Sequence, residues 1–460
     1  MKKAVNMLKT TVGLVGSDVL AYTVGEDPVL DLALVEADCV GSAAHAVMLS
    51  RMPGAILSKA ECKAVIRELA AILKLARAGK FVITLADQDV HLAVERTLTE
   101  KLGDTGKKVH TFRSRNDQVS VDLRLFIREQ LFGLMEEAAD LAEAFLTFAR
   151  RHNLVPMAGR THLQPAMPSS VGLWASAHAE SLLDDARELM SVYELNDQCP
   201  LGSAASYGVP APIDRALTAR LLGFKRPVHN VLYANNVRGK HEARVLSACG
   251  QLMLTLARAA EDLILFTMPE FGYFRLPDAC TTGSSIMPQK RNPDVCELVR
   301  SRAARVLSRA SCTAEIARGL PSGYNRDLQD TKGELMDGLA VTRGSLRAFL
   351  PLVRGMTIVP EALRKGFTPD VFATDAALER VAAGVPFRDA YHHVKAHLDE
   401  LADRDPVEAV RRKTHYGAPA GLDLAWLGRE WRATRTATRR RRQAVHASLS
   451  RLMGVTYPPA

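Results

Sequence analysis

Apolar residues through the middle of the chain keep a helical spacing over long distances. From Ile127 they run Leu131, Leu134, Ala138, Leu141, Phe145 and Phe148, in alternating steps of four and three. The alternation returns in Val245, Cys249, Leu252, Leu256, Ala259, Leu263 and Phe266, and again in Val295, Val299, Ala303, Val306 and Ala310. Side chains three or four places apart share one face of a helix, so each run predicts a long helix with a continuous apolar stripe. Pro293 stands at the start of the third run, where its missing N–H costs nothing. Ser58 and Glu61, spaced as a capping box, announce an earlier helix that carries Val65, Ile66, Leu69, Ile72 and Leu73. Period-two alternation is scarce.

This pattern predicts an all-α fold without internal repeats. A smaller N-terminal helical unit is expected over residues 1–112, a central long-helix bundle over 113–362 and a C-terminal helical unit over 363–460. Stripes of this length exceed what one bundle buries, which predicts helix-to-helix association between copies of the chain.

Composition adds setting. The 460 residues are 47% hydrophobic, enough for a large core. No apolar run approaches the roughly 18 residues of a membrane span, and Lys9 interrupts the opening before a signal-type segment forms, so a soluble cytoplasmic protein without a membrane partner is expected. The seven cysteines are scattered and never paired as CxxC beside histidines, which argues for reduced thiols and against a disulfide framework or zinc site. The net charge of +9 is local: residues 427–451 hold eight arginines against Glu430, which is +7 of it. Lacking interleaved aromatics for base stacking, this tail reads as a solvated terminal helix, and nucleic acid is not an expected partner.

Four polar segments interrupt the apolar architecture where long helices begin or end: "HTFRSRNDQ" at 110–118, "GRTHLQPAMP" at 159–168, "TTGSSIMPQKRNPD" at 281–294 and "GYNRDLQDTK" at 323–332. Each has a plain reading. Ser114 or Asn116 can cap the next helix, Ser284 and Ser285 can cap a turn, Glu297 can be a first-turn helix charge, and a lone His162 can be a satisfied imidazole. Independent caps would not be expected to supply Arg115, Lys290, Arg326 and Lys332 together with amides, hydroxyls and a histidine. That set suits holding an anion while a proton moves.

"GSSIMPQKRNPD" resembles the signature of the fumarase/aspartase superfamily, and Gln289 resembles its argininosuccinate lyase branch. "SRNDQV", "GRTHLQPA", "PLGS" at 200–203, "PEFGY" at 269–273, "YNRDLQ" and "GVPFRDAYHHV" at 384–394 are similar to the same branch. The likeness runs from about Asp38 to about Val394. It implies an all-helical homotetramer whose central helices form a shared bundle, each active site drawing on three subunits. It also implies β-elimination: loss of a proton beside a carboxylate, expulsion of nitrogen from the next carbon, and release of fumarate from an N-succinyl amino acid.

Resemblance makes Ser284 the base, on a loop that Gly283 lets close, with His162 serving the departing nitrogen and Glu297 orienting that ring. Lys290 and Asn292 suit stabilisation of the enediolate-like dianion, because preorganised donors aimed at developing charge are the strongest aid to such a step. Arg115 has the planar fork for a succinyl carboxylate, with Ser114, Asn116 and Thr161 as neutral donors. Tyr324, Gln329 and Lys332 match positions holding the amino-acid end of the leaving group, and Asp38 and His91 match pocket-lining positions. No cofactor or metal is implied, since ligand spacings and phosphate loops are absent.

Three departures bear on the leaving group. The family's N-terminal Trp-Gly-Gly-Arg-Phe segment is not recognisable in residues 1–37, and Phe112 stands where a glycine is expected. In "NVLYANNVRG" at 230–239, Val231, Tyr233, Asn236 and Gly239 replace the family's serine, aspartate, serine and aspartate, while Arg238 stays in phase.

Overall fold

The computed structural model describes residues 7–10 and 13–457. The reading that Lys9 breaks an opening apolar segment draws partly on residues 1–6 and 11–12, which lie outside that range.

The predicted helices are present. Helix Arg115–Arg151 carries the Ile127–Phe148 stripe, helix Lys240–Thr267 the second and helix Asp294–Ala317 the third, preceded by Pro293. Helices Val171–Asn196 and Thr331–Gly355 complete the central bundle. Ser58 and Glu61 form the expected capping box on helix Lys59–Arg77. A second such box opens the longest helix: the Ser114 hydroxyl caps it and the Asp117 carboxylate accepts from the Ser114 backbone N–H at 2.8 Å. The fold is all-α, with strands confined to four short two-stranded sheets among the described residues.

One apolar core runs through the molecule. It joins Leu34, Val35 and Leu49 near the start to Leu131, Leu141 and Phe145, to Leu252 and Leu256, and to Leu449 and Leu452 at the end. A separate small cluster of Phe372, Ala376, Ala377, Ala390, Val394 and Leu401 holds residues 367–409 together. Close approach of the bundle helices depends on Gly338, where an added Cβ would sit 2.3 Å from Leu246 Cδ2. Outside the core, Leu254, Leu298 and Leu307 remain exposed on the two helices Lys240–Thr267 and Asp294–Ala317.

The arginine-rich tail is helix Leu424–Met453, and it lies on the bundle. Arg435 pairs with Asp140 at 3.2 Å and Glu143 at 3.5 Å, Arg442 with Glu136 at 2.6 Å and Glu129 at 3.5 Å, and Arg441 with Glu194 at 3.2 Å. Part of the basic charge therefore answers acids spaced along helix Arg115–Arg151. Among the described residues no single helix is long and apolar enough to cross a membrane.

Candidate active site

A cavity of about 370 Å³ opens where the longest helix begins. Ser114, Arg115 and Asn116 reach it from the first turn of that helix, His91 from the start of helix Val90–Leu102, and Tyr324, Gln329 and Lys332 from the loop and first turn before Gly355. Seven of the residues assigned to the site from the sequence thus meet from three separate stretches of chain. The spacing of 324–332 explains its share: a 3-10 turn at Arg326–Gln329 passes into a helix, so Gln329 and Lys332 fall on one side.

Reasoning from sequence missed the acids of this cavity. Asp89, the N-cap of its helix, holds the Arg115 guanidinium through Nε at 2.7 Å and through Nη2. Lys332 is buried and bonded to both Asp27, at 2.8 Å, and Asp31. Burial alone would lower its proton affinity, but Asp31 and Asp27 outweigh burial and leave it raised. Burial dominates at Asp27 and keeps its carboxyl above the ordinary range despite Lys332. Gln329 donates to the Thr23 and Val24 carbonyls at 3.1 and 3.2 Å, and Arg326 to that of Thr23. The 323–332 segment therefore pins the N-terminal residues over the cavity. The Asp27–Asp31 spacing of four is a weak signal, and nothing in the sequence ties it to a lysine three hundred residues away.

Asp38 does not reach the cavity. It is buried behind His91, with Oδ1 2.8 Å from the ring Nδ1. Burial acts to raise its pKa, but the hydrogen bond and charge of His91 prevail and bring it below the ordinary value.

None of Thr161, His162, Ser284, Lys290, Asn292 or Glu297 lines this cavity. Thr161 and Gln164 pair at the end of an antiparallel hairpin, leaving His162 and Leu163 as its exposed two-residue turn. Their φ values are +54° and +62°, the geometry that usually selects Asn-Gly. A leucine held there costs roughly 1–2 kcal/mol, so the His-Leu tip is kept against local preference. Arg160 props it by donating to the Leu163 carbonyl at 3.0 Å and stacking over Phe271 at 4.6 Å.

The 281–293 loop is tied at its base by the Thr282–Asn292 bridge. The Ser284 hydroxyl accepts from the Ile286 and Met287 N–H groups at 3.3 and 3.2 Å, the turn-capping geometry of its plain reading. Lys290 and Glu297 are exposed, and their side chains, like that of His162, find no hydrogen-bond or ion-pair partner among the described residues. One chain therefore presents an open cavity lined by paired charges and, apart from it, two exposed loops bearing unengaged polar groups.

The departures have local causes. Phe112 adopts φ +64°, so the position demands the conformation that favours glycine although the ring packs partly against the core. Gly239 has φ +73°, and a Cβ there would lie 2.6 Å from that of Ala317, leaving no room for an aspartate. Arg238 pairs instead with Glu242 one turn on, at 2.9 Å. Asn236 braces the loop before Tyr324, donating to Ser322 Oγ at 3.0 Å and accepting from the Gly323 N–H at 2.8 Å. Nothing in the structure explains Val231 or the half-exposed Tyr233.

Residues 29–308 match the lyase family. The chain is 45% identical over 417 residues to an argininosuccinate lyase of Sorangium cellulosum, covering 91% of this chain and 96% of that protein. It is 40% identical over 420 residues to one of Stenotrophomonas maltophilia strain K279a, covering 91% and 97%. The fold also matches a solved EDDS lyase variant with bound fumarate, at a TM-score of 0.80 and 23% identity over 95% and 94% of the two chains. Motifs, fold and relatives agree, and the chain belongs to the argininosuccinate lyase branch of the fumarase/aspartase superfamily.

Proposed function

We propose that the protein is a carbon–nitrogen lyase that cleaves argininosuccinate to arginine and fumarate. The carrying observation is that residues 114–116, 324, 329 and 332, matched to this branch from the sequence, meet in one cavity of a chain closely related to argininosuccinate lyases. The weakly acidic proton beside the succinyl carboxylate passes to Ser284, negative charge builds on that carboxylate, and the C–N bond on the neighbouring carbon breaks. Lys290 and Asn292 stabilise the dianion, the type of interaction whose loss costs several kcal/mol of barrier. His162, held by Glu297, returns a proton to the departing nitrogen.

Thr161, His162 and Lys290 stand exposed and, with the half-buried Ser284, lie outside the cavity, which supports a working site completed by loops of other copies. A homotetramer in which three chains contribute to each site provides this, and exposed Leu254, Leu298 and Leu307 on the central helices supply apolar surface for it. Its setting is cytoplasmic arginine formation.

The altered 231–239 segment favours one second reading, a sister lyase that releases fumarate from another N-substituted aspartate. A fumarate-release assay over a panel of N-succinyl compounds decides between them. Release from argininosuccinate in preference to the others supports the first reading, and release only from another compound overturns it.

A further inference from the structure

Behind the cavity wall lies an acid–histidine pair that the elimination does not use. Asp38 comes from helix Val35–Leu49, His91 from helix Val90–Leu102 and Asp122 from helix Arg115–Arg151. All three are buried. The His91 Nδ1 is 2.8 Å from Asp38 Oδ1 and 3.5 Å from Asp122 Oδ2, while the ring lines the cavity. One ring edge is thus tied inward and the other faces the substrate space. We propose that Asp38 is a positioning residue acting through His91: it accepts the Nδ1 proton, fixes the ring, and keeps the opposite nitrogen as a charged donor to a carboxylate of the bound substrate. Only the identity of that anion rests on the lyase reading above.

The three side chains offer ligand-type atoms within 4.8 Å of one another. A metal is not needed to account for them, because 2.8 Å is a hydrogen-bond length and a nitrogen that donates to a carboxylate has no lone pair left for a cation.

The groups around the ring favour its charged form. Burial opposes protonation of His91, but Asp89, Asp38 and Asp31 outweigh burial and raise its pKa. Arg113 and Lys332 face Asp38 and Asp122 across the same layer, and His110 lies close enough to feel the ring's charge. Among the described residues the Asp122 oxygens have no hydrogen-bond partner. Burial, then Asp38 and Asp31, hold that carboxyl well above its ordinary range, whereas Asp38 is the carboxylate hydrogen-bonded to the ring.

Nitrogen-15 NMR of the ring, with assay of the Asp38→Asn protein, tests the proposal. In the unaltered protein both ring nitrogens of His91 should be protonated at about pH 7, above the ordinary imidazole midpoint. Asp38→Asn should lower that midpoint by about one unit or more. It should also raise KM about tenfold with a smaller fall in kcat, and part of the loss should return near pH 6, where the ring recharges. Asp122→Asn leaves the 2.8 Å contact of Asp38 with the ring untouched and should leave the midpoint nearly in place. A neutral ring in the unaltered protein, or an Asp38→Asn loss that is the same at every pH, overturns the proposal. The NMR result stands without turnover, so failure of the lyase reading is distinguishable from failure of this one and a poorly folding variant does not leave it undecided.

Discussion

The cavity at the head of helix Arg115–Arg151 and the exposed loop at 281–293 carry similar chemistry in opposite conditions. In the cavity two cations singled out in the sequence are held by carboxylates, Arg115 by Asp89 and Lys332 by Asp27 and Asp31, while Arg326 donates to the Thr23 carbonyl. Bonds of this kind fix geometry before a ligand arrives, which suits binding. On the loop, Lys290 stands exposed with no ion-pair partner among the described residues, and Ser284 is bonded only to nearby backbone N–H groups. A base used in this state would be a poor one, since a serine hydroxyl needs an environment that draws off its proton. Under the proposed function, this contrast gives recognition to a preformed half and chemistry to a half that association with other copies would complete.

Substitutions in the two regions should have separable effects. Ser284→Ala should lower fumarate release by roughly 10²–10⁴-fold, the usual weight of a positioned proton-transfer group, with an unchanged thermal midpoint because little packing is lost. Near-normal turnover would leave Ser284 as a turn cap. Lys332→Met strands the buried Asp31 carboxylate and the partly buried one of Asp27, and urea unfolding should show a loss of about 3–5 kcal/mol. A loss below about 1 kcal/mol would mean that the lysine is not what holds the N-terminal segment.

At the hairpin tip the two kinds of effect should separate. Leu163→Gly relieves the left-handed backbone and should stabilise the fold by about 1 kcal/mol in thermal melts. His162→Asn, tolerated in the same conformation, should leave stability level or better while kcat falls strongly and KM moves less. A change confined to KM would contradict its proton-transfer role. The smallest effect is expected on the tail: Arg442→Ala removes partly exposed pairs to Glu136 and Glu129 and should cost no more than about 1 kcal/mol, less in high salt.

Helices were legible because their evidence is local. The stripes at Ile127–Phe148 and Val245–Phe266 and the Ser58–Glu61 box need only neighbours along the chain, and each lies in the helix it predicted. The site was legible unevenly. Residues 114–116 and 324–332 could be picked out as polar islands, but their partners could not: Asp27 and Asp31 meet Lys332 only through tertiary packing, and Asp38 stands behind His91 rather than at the wall. Phe112, read as a departure from a glycine, proved to occupy a glycine conformation, which no one-dimensional pattern reveals. The arginines of the tail looked solvated because their answering acids, Glu129, Glu136 and Asp140, lie on a helix about three hundred residues earlier.

The central claim is that a cavity from one chain works with loops from others, and subunit exchange tests it most directly. Asn116→Ala impairs the cavity half and Ser284→Ala the loop half, and each alone should be nearly inactive. After the two proteins are mixed and exchange is verified by native mass spectrometry, the account predicts that fumarate release returns to a substantial fraction of the unaltered rate, because some sites then combine an intact cavity with an intact loop. Mixed oligomers as inactive as either parent, or a protein that sediments as an active monomer, would contradict it.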